Sequence, residues 1–322
     1  MSERELLKIS TRVMYDELLR QGAEVRILDA AGSLLEFTDL AGKPRLLFST
    51  SSDKSSAVGL NIAGNKAHTE LVAKELGITV PVDTYCHSLH EAEAFFALHN
   101  RIVLKPSDNS GGTGVSTNIT DHEKLKKAYH YARGYGNTVI AQEHIAGTDV
   151  RLLVIGGTFR SAVERRPASV VGDGTSTLKE LISKANKSEL RQANSMSAMD
   201  LIDVIGARRY LADDITNVPA KGEVVTVVGP ANLSLGGTAH EATQLVTQAM
   251  IQDAEKITRK LGLGICGVDM MWDQSAGTYF LIEVNATPGV NMHNDPFWGT
   301  SGNAIEHYVS WLITPGSRIA TD

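Results

Sequence analysis

Three groups of residues in this chain are of types and spacings that do chemistry. Glu283 and Asn285 lie two apart at the end of a β-forming run, Tyr279 to Val284, so on a strand they share a face. Asp269 lies in the preceding apolar run, Ile265 to Trp272, and Asp273-Gln274-Ser275-Ala276-Gly277 between the two supplies turn chemistry. The stretch reads as a β-hairpin. Folding about Ser275 sets Asp269 opposite Leu281, with Glu283 as its diagonal neighbour. Two carboxylates and an amide oxygen then converge. Carboxylates that close repel unless a cation lies between them, and an all-oxygen set suits Mg²⁺. A solvent-facing hairpin whose acids keep it soluble is the competing reading of the same residues.

The second group is basic and glycine-rich. Arg101 to Pro106 reads as a strand carrying Lys105 near its end, followed by Ser107-Asp108-Asn109-Ser110-Gly111-Gly112-Thr113-Gly114-Val115. Backbone N–H groups of such a loop approach phosphate oxygens closely, and a lysine beside it balances their charge. The spacing is not that of a P-loop, and a hairpin turn without a ligand also fits. Lys66 lies in the first turn of a helix opened by Asn65, where a cation opposes the helix dipole and can reach a bound anion. The third group is Arg151 and Arg165, which flank a hairpin of two strands, Val150 to Ile155 and Phe159 to Glu164, joined by Gly156-Gly157. Two guanidiniums on one sheet face are costly without an anion to share. Arg160 reads as an ordinary surface residue.

The elements that must position these groups follow from periodicity. Glu3 to Gln21 has helical spacing and ends at Gly22, and short strands follow at Val25 to Leu28, Leu34 to Phe37 and Leu46 to Ser49. Ser49 to Ser56 is a polar run that reads as a mobile connector or a polar binding loop. Helices are expected from Asn65 to Leu76, Leu89 to His99 and Asp121 to Arg133, with a strand from Thr138 to Glu143. Gly172 to Thr177 is a turn into a helix at Leu178, and 186–220 reads as a mobile polar insertion with a helical patch near Leu201 to Ile205. Glu223 to Val228 is a strand, Asn232 to Thr238 a second Gly-bearing loop, Glu241 to Leu261 the longest helix, and Asn303 to Leu312 the last. The expected division is a small α/β lobe over 1–64, a subdomain over 65–145 and a second over 146–322.

Bulk properties narrow the function. With 322 residues, two or three subdomains are expected. A net charge of −6 and a pI near 5.9 exclude a general nucleic-acid binder. Cys86 and Cys266 form neither a disulfide framework nor a zinc motif, which points to a reducing, cytoplasmic setting. No apolar run reaches membrane-spanning length, so no membrane partner is expected.

The order of these groups along the chain resembles the ATP-grasp fold, an α+β architecture that holds ATP between two subdomains. Asn65-Lys66 and Gly77-Ile78-Thr79-Val80-Pro81 resemble its entry, and Ile282-Glu283-Val284-Asn285-Ala286-Thr287-Pro288-Gly289 its metal-binding signature. Arg151 to Gly157, Glu164 to Ala168 and Val170 to Gly174 resemble cyanophycin synthetase and the ATP-grasp half of bifunctional glutathione synthetase, as does Asn232-Leu233-Ser234-Leu235-Gly236-Gly237. The N-terminal stretch is similar to the lead-in of the latter. The length leaves no room for the second catalytic half of either enzyme.

The resemblance implies a role for each residue. Lys66 and Lys105 would hold the phosphates of ATP, and Gly111, Gly112, Thr113 and Gly114 would close over them. Gln142, Glu143, His144 and Ile145 would line the adenine, and Asp149 would meet the ribose. Asp269, Glu283 and Asn285 would hold two Mg²⁺, with Mn²⁺ a possible substitute. Arg151 and Arg165 would neutralise an acyl phosphate, and with Asn232, Ser234, Gly236 and Gly237 would choose the substrate. D-alanine–D-alanine ligases carry an arginine where this chain has Gly267, a departure from that branch. The implied activity is an ATP-dependent carboxylate–amine ligase acting on amino acids or short peptides, with a homodimer common in such ligases. A nucleotide-binding partner subunit without turnover and a phosphoryl transferase are the alternatives.

Overall fold

The periodic run at the N-terminus does not form one helix. In the computed structural model, which describes residues 2–107, 113–188, 191, 200–211, 214–294, 296, 299 and 302–320, it splits into α1 (Glu3–Leu6) and α2 (Ile9–Arg20). Ser2 and Glu5 form a capping box on the first, and Arg4 pairs with Asp16 across the break. The break turns Leu7 inward, where it is buried beside Met14 and Leu18. β1 (Val25–Asp29), β2 (Leu34–Thr38), β3 (Pro44–Phe48) and β4 (Ser51–Ser52) then form an antiparallel sheet in chain order.

The serine run is packed into the fold rather than left as a connector. Thr50, Ser51 and Ser52 are buried. Their polarity is tolerated because most of the run's hydroxyls find partners. Thr50 Oγ1 donates to the Pro288 carbonyl at 3.0 Å, and Ser55 Oγ accepts from Gly264 N–H at 3.0 Å. Ser56 caps an additional helix, α3 (Ala57–Ala63). Asn65 caps α4 (Lys66–Glu75), as its sequence predicts.

A second antiparallel sheet, of order β5-β8-β6-β7, comprises β5 (Asp83–Cys86), β6 (Ile102–Pro106), β7 (Ser116–Ile119) and β8 (Val139–Glu143). α5 (Leu89–His99) and α6 (His122–Arg133) bury Phe95, Phe96, Leu125 and Tyr129 against it. The central sheet has five strands in the order β13-β10-β9-β14-β15. These are β9 (Thr148–Ile155), β10 (Thr158–Arg166), β13 (Thr238–Glu241), β14 (Ile265–Asp273) and β15 (Thr278–Asn285). Gly156 and Gly157, both at positive φ, make the two-residue turn between β9 and β10.

Alternation divides the central sheet into two faces. Leu152, Val154, Cys266, Val268 and Met270 pack under α9 (Gln248–Leu261), together with Ala73 of α4 and Ile78 beyond it. The segment that follows residue 65 therefore joins the core of the central sheet rather than that of the sheet over residues 83–143. On the other face Leu153, Ile155 and Ile265 pack under the N-terminal lobe and α11 (Ala304–Ile313). The longest helix starts at Gln248, not Glu241, because residues 238–241 pair as a strand with the edge of β10.

Between β10 and β13 lies a small module with its own core. It contains the ribbon of β11 (Ser169–Val171) and β12 (Val224–Thr226), with α7 (Leu178–Asn186) and α8 (Val204–Tyr210). α8 covers Val204 to Tyr210, later than the helical patch expected at Leu201 to Ile205. About a third of the expected insertion, residues 189–190, 192–199 and 212–213, lies outside the described residues. No helix among the described residues is long and apolar enough to cross a membrane.

Leu152 is fully buried at the centre of the sheet, whereas Leu98 is 78% exposed. Leu152→Ala is expected to lower unfolding free energy by about 2–5 kcal/mol in a urea titration. Leu98→Ala should stay within about 0.5 kcal/mol of the parent protein.

Candidate functional site

On the face of the central sheet that carries Leu153 and Ile155, the strand ends beyond the lobe turn polar. Arg151 on β9 stands directly opposite Asp269 on β14, and Asp269 directly opposite Glu283 on β15. The register differs from the sequence expectation, which set Asp269 against Leu281. A bulge at Ile282 shifts β15 by one residue between Asp269 and Met270. Without it Ile282 would face Asp269; with it Glu283 does, while Val284 stays in the core. Gly267 opposes Asn285, and a Cβ at Gly267 would lie 3.1 Å from Arg151 Cδ. The missing side chain makes room for the arginine stem.

The charges on this floor form one network. Arg151 Nε donates to Asp269 Oδ1 at 2.6 Å and its Nη2 to Oδ2 at 2.8 Å, a bidentate pair. Arg165 Nη2 lies 2.9 Å from the same Oδ2 and donates to Asp149 Oδ1 at 2.7 Å, with Nε on that oxygen at 2.9 Å. The anion that the two guanidiniums share is thus Asp269, with Asp149 beside it. Burial opposes the charge on Asp269, but Arg151 and Arg165 together outweigh it and hold its carboxyl below the usual range. Asp149 is pushed up, by burial first and by the Asp269 carboxylate next, against the pull of Arg165. Asn285 Oδ1 accepts the Thr287 N–H at 2.9 Å, which fixes the loop after the strand.

Facing the floor is the second sheet. Lys105 is buried on β6 and donates to Gln142 Oε1 on β8 at 3.1 Å. Burial, and then the neighbouring Lys66 ammonium, bring its pKa down to about 8. Glu143 accepts the Val82 N–H through its carboxylate at 2.8 Å. His144 Nδ1 is buried without a partner, an orphaned polar atom in the wall. A cavity of about 730 Å³ separates the two sheets, within the range of roughly 300–1,000 Å³ usual for small-molecule sites.

The cavity gathers most of the residues singled out from the sequence. Lys66, Lys105, Gln142, Glu143, His144, Ile145 and Asp149 line it, as do Arg151, Arg165, Asn232, Ser234, Asp269, Glu283 and Asn285. Gly236 and Gly237 do not. Gly236, at φ +92°, packs so closely on Ile202 that a Cβ would lie 2.6 Å from its Cα, and Gly237 is crowded by three backbone carbonyls. They shape the loop from behind. Thr113 and Gly114 are also off the wall, Gly114 being packed on Pro106 and Tyr135. Gly111 and Gly112 lie outside the described residues.

Some residues here carry no motif. Asp83 and Glu70 stand with Lys66, Lys105 and Glu283 around a small recess beside the main cavity. Burial, and next Glu70, push Asp83 up to about 6. Asp83 pairs in register with Gln142, a neighbour that no spacing in the sequence reveals. His293 is buried on the same face as the floor, its Nδ1 3.0 Å from Ser161 Oγ, and burial lowers its pKa to about 3. Among the described residues no group of three His, Cys, Asp or Glu side chains is placed to hold a metal ion. The oxygen set of Asp269, Glu283 and Asn285, two carboxylates and one amide, fits a hard divalent cation by donor type.

Residues 69–208 match the family described as prokaryotic glutathione synthetase, ATP-grasp domain, and residues 229–300 match the RimK-like ATP-grasp domain. Cyanophycin synthetase of Geminocystis herdmanii is 32% identical over 278 residues, covering 82% of this chain and 32% of that protein. The glutathione biosynthesis bifunctional protein of Listeria innocua is 28% identical over 321 residues, covering 96% of this chain and 42% of that protein. The chain thus spans about a third to two-fifths of the length of these curated relatives. A crystal structure of a bifunctional glutathione synthetase from Pasteurella multocida superposes with a TM-score of 0.66 at 25% identity, over 96% of this chain and 43% of that one. The chain therefore carries two ATP-grasp domain matches in succession and shares the ATP-grasp fold along nearly its whole length.

Proposed function

We propose that the chain is an ATP-dependent ligase that joins an amino-acid or short-peptide carboxylate to an amine, releasing ADP and phosphate. The observation that carries this reading is the cavity lined together by two lysines, two carboxylates with an amide, and two arginines. Relatives named for glutathione and cyanophycin synthesis support the same chemistry. A γ-glutamyl or other dipeptide acid with an amino-acid amine is the first substrate pair to try, and an aspartate-rich acceptor the second.

The chemistry matches the charges. A carboxylate is a poor electrophile; its oxygen attacks the γ-phosphorus of ATP in line, ADP leaves, and an acyl phosphate results. The amine then attacks the carbonyl carbon, phosphate leaves with the electron pair, and the nitrogen loses its proton. Lys66 and Lys105 offset phosphate charge on one wall. Arg151 and Arg165 would offset the charge that develops on the acyl phosphate, and their mounting in the sheet would limit reorganisation during reaction. His144 and its neighbours suit a nucleobase edge, and the free oxygen of Asp149 suits a ribose hydroxyl. Asp269, Glu283 and Asn285 would hold divalent cations, which when bound supply charge neutralisation to the phosphates.

A screen of amino-acid and dipeptide pairs for ADP release, with products identified by mass spectrometry, tests the proposal. Release that needs both an acid and an amine is expected. Release with a lone alcohol points instead to a phosphoryl transferase, and nucleotide binding without release for any pair to a binding subunit. Glu283→Ala should cut turnover more than about a hundredfold with the circular dichroism spectrum unchanged. If turnover persists, the cation assignment is wrong.

Lys105 gives a pH signature. With a pKa near 8 it is half deprotonated at that pH in the free protein. Phosphate anions favour its charged form, so nucleotide binding should take up about half a proton at pH 8 and almost none at pH 6, where the ammonium is already formed. Calorimetry in buffers of different ionisation enthalpy measures this uptake, and Lys105→Met should remove it.

A further inference from the structure

Asp269 serves two expected masters: it belongs to the oxygen set for a cation, and it is bonded to both arginines expected to bind an anion. Each oxygen of a carboxylate has about two acceptor positions. Oδ2 of Asp269 takes a bond from Nη2 of Arg151 at 2.8 Å and has Nη2 of Arg165 in ion-pair contact at 2.9 Å, while Oδ1 takes one bond, from Arg151 Nε. A cation that uses Oδ2 must displace a guanidinium, and one held on Oδ1 alone would sit against two positive neighbours at short range.

The two arginines are not equally easy to displace. Arg151 grips Asp269 by two parallel bonds, the stronger geometry. Arg165 touches Asp269 once and has a second anchor, two bonds to Asp149 Oδ1. On leaving Asp269 it still has a partner and stays on the cavity wall.

We propose that Arg165 and a divalent cation compete for Asp269, so that cation binding frees the Arg165 guanidinium for an anion in the cavity, with Asp149 keeping it aimed there. This rests on the reading of the cavity as a metal–nucleotide site. The consequence is an order: cation and nucleotide bind first, and the acid substrate, or the phosphate it acquires, finds its arginine afterwards. Linkage makes the effect reciprocal, since whatever draws Arg165 off Asp269 strengthens cation binding by the same factor.

Mn²⁺ is the probe for the first half, its free concentration read by electron paramagnetic resonance over the full chain without nucleotide. Arg165→Met should bind Mn²⁺ about tenfold more tightly than the parent protein, and Asp269→Asn should lose the site. Arg165→Lys keeps the buried charge but cannot fork between the two carboxylates. It should shift affinity in the same direction, which covers the case of a methionine variant that does not fold. Unchanged or weaker Mn²⁺ binding in the folded Arg165 variants, with loss in Asp269→Asn, overturns the competition while leaving the metal-site reading intact. Mn²⁺ binding that Asp269→Asn leaves unaltered overturns the metal-site reading itself. Inorganic phosphate is the probe for the second half. Its calorimetric affinity should rise about tenfold when Mn²⁺ and ADP are present, a gain that Arg165→Met and Asp149→Asn both remove. Phosphate affinity indifferent to the cation overturns the proposed release.

Discussion

The buried carboxylate of Asp269 is the constraint around which the rest of the site is arranged. An ionised aspartate at 3% exposure is tolerable only when its charge is compensated at hydrogen-bonding distance, and Arg151 and Arg165 provide that compensation. Those arginines must in turn be balanced, and Asp149 completes a cluster of two positive and two negative groups. Each member comes from a strand of one sheet, so the cluster exists only if β9, β10 and β14 pair in one register. A slip of one residue would turn every one of these side chains into the opposite, apolar core. The chemistry of the site and the specificity of the fold therefore depend on the same pairing.

That sheet does two jobs on one face. Half of it is dry, covered by the N-terminal lobe and α11, and half is the polar floor of the cavity. The transition falls within β9 itself, between Leu153 and Arg151. The lobe is tied to the loop just beyond the acidic hairpin, through Thr50 on the Pro288 carbonyl and Ser10 on Asn291. The polar N-terminal residues that resemble a connector by composition thus hold the loop that follows Glu283 and Asn285. On the far side of the sheet, α3 packs on α9 and α4 on α3 and β15, which sets Lys66 at the edge of the cavity.

Much of this was legible from side-chain type and period. The strands carrying Lys105, Arg151, Arg165, Asp269 and Glu283 follow from apolar alternation, and their arrival at one cavity is what their charges require. The misreadings have particular causes. Leu7 breaks a helical period because burying it in the core outweighs continuing the helix. Ser51 and Ser52 are buried in a paired strand where composition suggests solvent. Gly236 and Gly237 resemble ligand-contacting residues, yet their lack of a side chain serves packing against Ile202 and neighbouring carbonyls.

Sequence by itself determined most of the inventory: the strands and helices that carry the site, which residues carry charge into the interior, and which family the order of motifs resembles. Local spacing decides those, because periodicity and capping act over a few residues. Tertiary structure alone decided who faces whom. The bulge at Ile282 sets Glu283, rather than its apolar neighbour, opposite Asp269, and the pairing of β9 with β14 gives Asp269 to Arg151. The recess that joins Asp83 and Glu70 to the lysines has no local signature at all. Such contacts depend on register and on packing between distant segments, where one residue of offset reverses the face of every side chain and no local pattern records the choice.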